Sequence, residues 1–135
     1  MEVKQRYFFR RHQKLKSRKD IDYLMKKGKR FSNKNYRVFY EFFSDELGVK
    51  TAIGCSSRIF KKATHRNKIK RLMREAFRLQ LPDLTQYLKK NQRGIKLFIL
   101  FTGKEVPNFK EVNDDFLNMI SRIMKLSDEN LETLA

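Results

Sequence analysis

The chain has 135 residues, a length that fits one domain and excludes two large ones. Apolar residues make up 40% of it and charged residues 35%, which favours a globular fold with a strongly ionised surface over a disordered tail. The 32 Lys and Arg exceed the 15 Asp and Glu, and the resulting net charge of +17 points to a polyanionic partner, with nucleic acid first. Residues 1–80 hold 24 basic and 7 acidic side chains, whereas residues 81–135 hold 8 of each, so the whole excess lies in the first part.

Several classes of protein are disfavoured by the sequence. The single cysteine, Cys55, cannot form an internal disulfide, and with only His12 and His65 beside it no zinc spacing exists, so we predict a cytoplasmic protein without a metal site. No apolar stretch approaches the roughly 18 residues of a membrane span, and the N-terminus has no apolar segment typical of a signal peptide. Ser56 and Ser57 have no acid and histidine spaced to activate them, so catalysis by the chain itself is not expected.

The N-terminal part is predicted to contain a basic arm and then a short helix. Residues 1–16 carry many cations and little periodicity. Ile21 and Leu24 then follow at helical spacing and Gly28 suits a C-terminal cap, which predicts a helix over 18–27.

Three strands are predicted, over 36–43, 49–56 and 95–102. A turn separates the first two, which we expect to pair antiparallel, while the third is almost continuously apolar and should be buried on both faces. The first strand places Tyr36 and Phe39 on opposite faces, and its aromatic side chains could either pack or stack on unpaired bases. Packing is the commoner role, but one of the two faces then needs a cover other than the main core.

Two longer helices complete the chain. The first is predicted over 63–80 and should stop at Leu81, because Pro82 follows. The second is predicted over 109–126, after an N-x-x-E cap formed by Asn108 and Glu111.

The order of elements is therefore α, β, β, α, β, α, without repeats. It predicts an α+β single-domain sandwich with a small mixed sheet and a βαβ crossover that carries the basic helix. We divide the chain into a basic arm at 1–16, one domain at 17–126 and an acidic frayed tail at 127–135.

The helix over 63–80 has two contrasting sides. Its apolar stripe contains Ile69, Met73 and Phe77, and a cationic strip about three turns long faces the other way. Such a charged side is often simply solvated, but here like charges repel at i+3 and i+4 spacing with few acids to offset them, so phosphate binding is favoured. A membrane-surface helix would be expected at a terminus with a larger apolar face. The cationic strip consists of Arg66, Asn67, Lys70, Arg71, Arg74 and Arg78.

The run RNKIKRLMREAF at 66–77 closely resembles the R-N-x-x-K-R-x-x-R signature of the bacterial ribonuclease P protein family. LKSRKDIDYLMKKG, NKNYRVFY and IKLFILFT resemble the first helix, the first strand and the last strand of that family, so the resemblance spans most of residues 15–126. It implies an accessory subunit of an endoribonuclease, in which a catalytic RNA with Mg²⁺ removes the 5′ leader from precursor tRNA. The expected partners are that RNA, one to one, and precursor tRNA, with no DNA and no membrane. The family also implies a left-handed crossover, against the right-handed one that is otherwise general.

The resemblance assigns residues to two sites. The signature places RNA contacts on Arg66, Asn67, Lys70, Arg71 and Arg74, and the family implies a cleft for the single-stranded leader near Ile21, Met25, Tyr36 and Phe39. We expect the neighbouring cations Arg58, Lys62 and Arg78 to bind RNA as well. The chain departs from the family where a glycine usually precedes the signature, and where aromatic residues of the first helix are replaced by Ile21 and Met25, so leader contact there is expected to be van der Waals only. A structural ribosomal protein would share the charge and the fold, and remains the alternative.

Overall fold

The computed structural model describes residues 18–45 and 47–134. The predicted basic arm at 1–16 lies outside them. The elements in chain order are α1 (Arg18–Lys27), β1 (Lys29–Asn33), β2 (Tyr36–Phe43), β3 (Gly48–Cys55), α2 (Ala63–Lys90), β4 (Gly94–Phe101) and α3 (Phe109–Leu134).

The four strands form one mixed sheet in the order β1-β2-β4-β3. β1 and β4 each pair antiparallel with β2, and β3 pairs parallel with β4. The predicted α+β sandwich is confirmed, but the expected direct pairing of β3 with β2 is wrong, because β4 lies between them. β4 is largely apolar on both faces, and an interior position in the sheet buries such a strand better than an edge position does. β3, α2 and β4 make the predicted βαβ unit, whose left-handed crossover stays a prediction.

Helices cover the sheet on both faces. We call the face that packs against α2 and α3 the inner face; it carries Val38, Leu97 and Ile99, all fully buried in the main core. The opposite, outer face packs against α1 through a smaller cluster of Leu24, Phe39 and Phe98. α1 is therefore the second cover that the aromatic residues on both faces of β2 required.

The first helix has the predicted bounds, but β1 was not predicted. β1 and β2 form a hairpin in which Asn33 pairs with Tyr36 across a two-residue turn, and Lys34 takes a left-handed conformation with φ of 52°. Only Phe31 is buried in this short edge strand, so its sequence lacks the apolar alternation that predicts a strand.

The predicted end of the central helix at Leu81 is wrong, since α2 continues through Pro82 to Lys90. A proline inside a helix costs about 3 kcal/mol because it removes a backbone hydrogen bond and crowds the preceding turn. Leu81, Leu84 and Leu88 lie beyond the predicted end and are almost fully buried in the main core. Each contributes about 1.5–3 kcal/mol by burial, so together they outweigh the cost of the proline.

The last helix starts as predicted but is longer. The Asn108 Oδ1 accepts a hydrogen bond from the Glu111 amide at 2.9 Å, and the Glu111 Oε1 accepts one from the Asn108 amide at 3.1 Å, which is the expected reciprocal cap. The helix was expected to end at 126 with a frayed tail, yet it runs to Leu134. The buried Arg93 guanidinium explains the extension, because it donates to the Ser127 carbonyl and hydroxyl oxygens, at 3.1 and 2.8 Å, and to Asn130.

Candidate nucleic-acid interface

α2 presents the cationic strip to solvent because its apolar stripe is fixed against the sheet. Ile69, Met73, Ala76 and Phe77 have no exposed surface. With 100° per residue, this anchoring turns Asn67, Arg71 and Arg74 outward, where they are exposed, and leaves Arg66, Lys70 and Arg78 half-buried at the sides. The predicted strip is therefore brought together on one face of one rigid helix.

Arg66 is partly occupied by the loop that precedes α2. Its Nη1 donates to the carbonyl oxygens of Phe60, at 2.6 Å, and Lys61, at 2.9 Å. These bonds hold the loop against the first turn of the helix, so Arg66 has a structural role in addition to the predicted RNA contact.

Arg78 is paired with a carboxylate one turn earlier on the same helix. Its Nε donates to Glu75 Oε1 at 2.9 Å and its Nη2 donates to Glu75 Oε2, so the guanidinium grips the carboxylate with two bonds. The hydrogen bonds from Arg78 hold the pKa of the Glu75 carboxyl below its usual value. Glu75 therefore stays ionised and offsets part of the charge of Arg78.

Arg71 and Arg74 differ from these two arginines. Both are exposed, and neither forms a hydrogen bond or ion pair with any part of the chain that the structure describes. Their guanidinium groups are therefore available to grip phosphate oxygens, which makes them the strongest candidates for phosphate binding in the strip.

The strip continues into the loop before α2. Arg58 and Lys62 are both exposed there, as is Lys61 between them and the helix. Lys62 is the N-cap of α2 and gives no side-chain cap to the first amides of the helix. The exposure of Arg58 and Lys62 is compatible with the predicted RNA contacts, which stay a prediction.

The outer face of the sheet is a second candidate surface. Phe39 and Phe98 stack with their ring centres 5.9 Å apart and are 3% and 9% exposed. Across this face, strand register places Ala52 beside Phe98 and Gly54 beside Leu100. Ala52, Gly54 and Leu100 stay half-exposed, whereas Phe98 is buried. A side chain at Gly54 would come within 3.1 Å of the Phe98 ring, so the glycine keeps this part of the face open.

Basic residues predominate around the apolar centre of the outer face, where Glu41 is the one acidic residue that the strands contribute. Arg30 pairs across the sheet with Phe39, and its guanidinium carbon lies 5.9 Å from the centre of that ring. The same register puts three further basic residues on this face, Arg37, Lys50 and Lys96. An apolar floor with a basic border suits a single RNA strand, since bases lie over the floor and phosphates meet the border.

The predicted leader-cleft residues do not all lie on this face. Ile21 packs against the small outer cluster, Phe39 belongs to it, and Met25 lies on the same helix with 37% exposure. Tyr36 is buried on the inner face, where its ring meets Phe101 and Phe116 edge-on, with centres 5.4 Å apart in each case. Including Tyr36 in the cleft is thus corrected, because residues 36 and 39 must point to opposite faces of a strand.

Sequence reasoning missed other residues of these surfaces. Phe98 and Leu100 could have been found from the alternation within β4, since Leu97 and Ile99 between them face the core. Phe109, which lies beside the cationic strip, gives no comparable signal because it comes from another helix.

Two negative findings apply to residues 18–45 and 47–134. No helix there is long and apolar enough to cross a membrane. No group of three or more His, Cys, Asp or Glu side chains there is arranged to hold a metal ion.

Comparison with known proteins identifies the family. The family model for ribonuclease P matches residues 9–124. The ribonuclease P protein component of Borrelia turicatae is 32% identical over 116 residues, which cover 86% of this chain and 96% of that protein. The chain belongs to the ribonuclease P protein family. The protein component from Borreliella burgdorferi, 37% identical over 94 residues, covers 68% of this chain and 71% of the relative.

Solved structures of ribonuclease P proteins have the same fold. The protein from Thermotoga maritima superimposes with a TM-score of 0.63 at 25% identity, covering 81% of this chain and 96% of that one. The protein from Staphylococcus aureus gives 0.64 at 20% identity, covering 84% and 95%. The chain is thus an RNA-binding protein component of ribonuclease P, which decides against the structural ribosomal protein that charge and fold left open.

Proposed function

We propose that this chain holds precursor tRNA on the catalytic RNA of ribonuclease P, and that the RNA carries out removal of the 5′ leader. The observation that carries the proposal is the cationic strip, where Arg71 and Arg74 present guanidinium groups that no described side chain occupies. By neutralising phosphates, the strip reduces the repulsion between two large RNAs, so that substrate binds at physiological salt.

The two surfaces take different RNA segments in this proposal. The cationic strip, with Arg58 and Lys62 beside it, contacts the catalytic RNA. The outer face contacts the single-stranded leader, whose phosphates meet its basic border. Phe39 and Phe98 are too deeply buried to offer a full ring to a base, so Ile21, Met25 and the half-exposed residues of β3 and β4 make van der Waals contact instead.

We further propose one protein per catalytic RNA, precursor tRNA as the substrate, and the cytoplasm as the location. Mg²⁺ in the assembled enzyme is held mainly by RNA and substrate. The described residues offer no cluster of metal-ligating side chains.

Reconstitution tests the central proposal. The chain is added to the catalytic RNA of its own organism, and cleavage of precursor tRNA is followed at low Mg²⁺ concentration. We expect the protein to raise the cleavage rate, because it replaces part of the charge screening that Mg²⁺ otherwise supplies. An unchanged rate, with the protein bound to the RNA, would refute the accessory role.

A pair of variants at Ala52 tests leader binding on the outer face. Ala52→Glu places a negative charge beside Phe98 and should weaken the holoenzyme's affinity for precursor tRNA while sparing mature tRNA, which lacks the leader. Ala52→Gln has nearly the same size without the charge and is the matched control. Equal losses for precursor and mature tRNA with Ala52→Glu would show that the leader does not lie on this face.

A further inference from the structure

A cavity of about 350 Å³ opens where the cationic strip meets the start of α3. Its volume is near the lower end of the range of about 300–1,000 Å³ that is usual for small-molecule sites. We call it the Phe109 pocket; it is lined by Arg71, Leu72, Arg74, Glu75, Arg78 and Phe109.

The floor of the Phe109 pocket is apolar and held in place. Leu72 and Phe109 are half-buried and pack against the main core, so each is anchored on one side and open to the cavity on the other. Phe109 is the first residue of α3, directly after the reciprocal cap between Asn108 and Glu111. The aromatic ring is therefore presented by a fixed helix start and not by a loose loop.

The rim of the pocket is cationic. Arg71 and Arg74 are exposed above the floor without a partner among the described residues, while Arg78 is held by Glu75 at the other side. An apolar ligand would make no use of these guanidinium groups, and a bare phosphate would make no use of the aromatic floor. A nucleotide satisfies both, since a base stacks on an aromatic ring and its phosphate accepts hydrogen bonds from arginine.

We propose that the Phe109 pocket binds one unpaired nucleotide of the catalytic RNA. Its base lies on the Phe109 ring and its phosphate on Arg71 and Arg74. The inference rests on the proposed function, because it names what part of the partner RNA the strip holds. It adds a base contact to a surface that otherwise neutralises backbone charge only.

The absence of tryptophan from the chain allows a direct test. Phe109→Trp introduces a single indole into the pocket, and Phe42→Trp introduces one at a matched control position. Phe42 is also a half-buried aromatic under a guanidinium, with the Arg93 carbon 4.4 Å from its ring centre, but that guanidinium is engaged with α3. Tryptophan emission is measured as the catalytic RNA of the same organism is added, and binding is followed separately by filter retention.

We expect the RNA to quench the emission of Phe109→Trp, because a stacked base quenches indole fluorescence, and to leave that of Phe42→Trp unchanged. Absence of quenching while the RNA is bound, or equal quenching of both variants, would overturn the pocket proposal without touching the proposed function. Failure of the wild-type chain to bind the RNA would instead overturn the proposed function.

An affinity measurement gives an independent readout. Phe109→Leu keeps an apolar floor but removes the ring, and should weaken binding by at least about fivefold, the lower end of the effect of losing one stacked base. Its dependence on salt should stay as in the wild type, since no charge is lost. Phe42→Leu should bind normally. Wild-type affinity for Phe109→Leu, with thermal melting confirming a folded protein, would show that no base stacks there.

Discussion

Replacing Arg74 by alanine should weaken binding to the catalytic RNA and make it less sensitive to salt. Arg74 is exposed in the middle of the cationic strip and contacts no partner within the described residues, so the substitution removes a phosphate ligand without breaking an internal interaction. Its neighbour on the core side, Met73, stays fully buried, so the fold should not change.

The size of the effect follows from counterion release. Each neutralised phosphate contributes about 0.7–0.9 to the slope of log affinity against log salt. Losing one contact should reduce the slope by that amount. Between about 50 and 200 mM salt, the affinity of Arg74→Ala should therefore fall about threefold less than that of the wild type. Filter binding to the catalytic RNA across a monovalent salt series, at constant Mg²⁺, measures this slope.

Glu75→Gln is the matched variant one residue along the helix. It removes the carboxylate that pairs with Arg78 and so raises the net positive charge of the strip by one. Binding should become stronger, and the slope of log affinity against log salt should become steeper by up to the amount that one phosphate contact contributes. An unchanged slope for Arg74→Ala would refute phosphate neutralisation by the strip. A slope for Glu75→Gln that is no steeper than that of the wild type would show that the Glu75–Arg78 ion pair does not reduce the charge offered to the RNA.

Three further outcomes are expected. Arg66→Lys keeps the charge but cannot bridge the carbonyls of Phe60 and Lys61 in the same way, so amide hydrogen exchange in this loop should become faster while the salt slope is retained. Arg93→Ala removes charge-assisted hydrogen bonds to α3, so urea unfolding should show a loss of about 2–4 kcal/mol; a change below about 0.5 kcal/mol would contradict the clamp. Tyr36→Phe removes a buried hydroxyl that has no hydrogen-bond partner within the described residues, so the free energy of unfolding should stay equal or rise. Leader binding should not change, and weaker leader binding would show that Tyr36 belongs to the leader cleft after all.

The elements that could be predicted are those whose signals are local. α1 was predicted with its observed bounds from the helical spacing of Ile21 and Leu24 and from Gly28. In the structure Leu24 is the buried residue of α1, and a side chain at position 28 would come within 2.6 Å of the Leu24 carbonyl oxygen. The cap at Asn108 was likewise predicted from a spacing of three residues, which the structure confirms with two hydrogen bonds.

The elements that could not be predicted depend on distant partners. α2 passes through Pro82 because Leu84 and Leu88, two and six residues later, are buried in the main core. α3 extends past 126 because Arg93 reaches Ser127 from across the fold. The insertion of β4 between β2 and β3 is also non-local, since it joins a late strand to two early ones.

For the candidate surfaces, the sequence predicted which residues share a face but not how accessible each one is. The cationic strip follows directly from helical periodicity. The difference between Arg74, which is available, and Arg78, which is paired with Glu75, depends on side-chain geometry that the sequence leaves open. Phe39 was placed on the correct side of β2. Because it is buried against Phe98, it supports the outer face from beneath and does not offer its ring for a base to stack on.

The uneven distribution of charge has a structural explanation. Residues 18–80 contain α1, β1 to β3 and the first two thirds of α2, which together supply the cationic strip and most of the basic border of the outer face. Acidic and basic side chains balance over residues 81–135. Within that range, residues 81–134 contain the rest of α2, β4 and α3 and contribute mainly to the main core. The strip and the outer face lie on opposite sides of the sheet, separated by a helix layer and a sheet layer of about 10 Å each. Because the two surfaces face opposite ways, this arrangement favours two RNA segments held at once, as the proposed function requires.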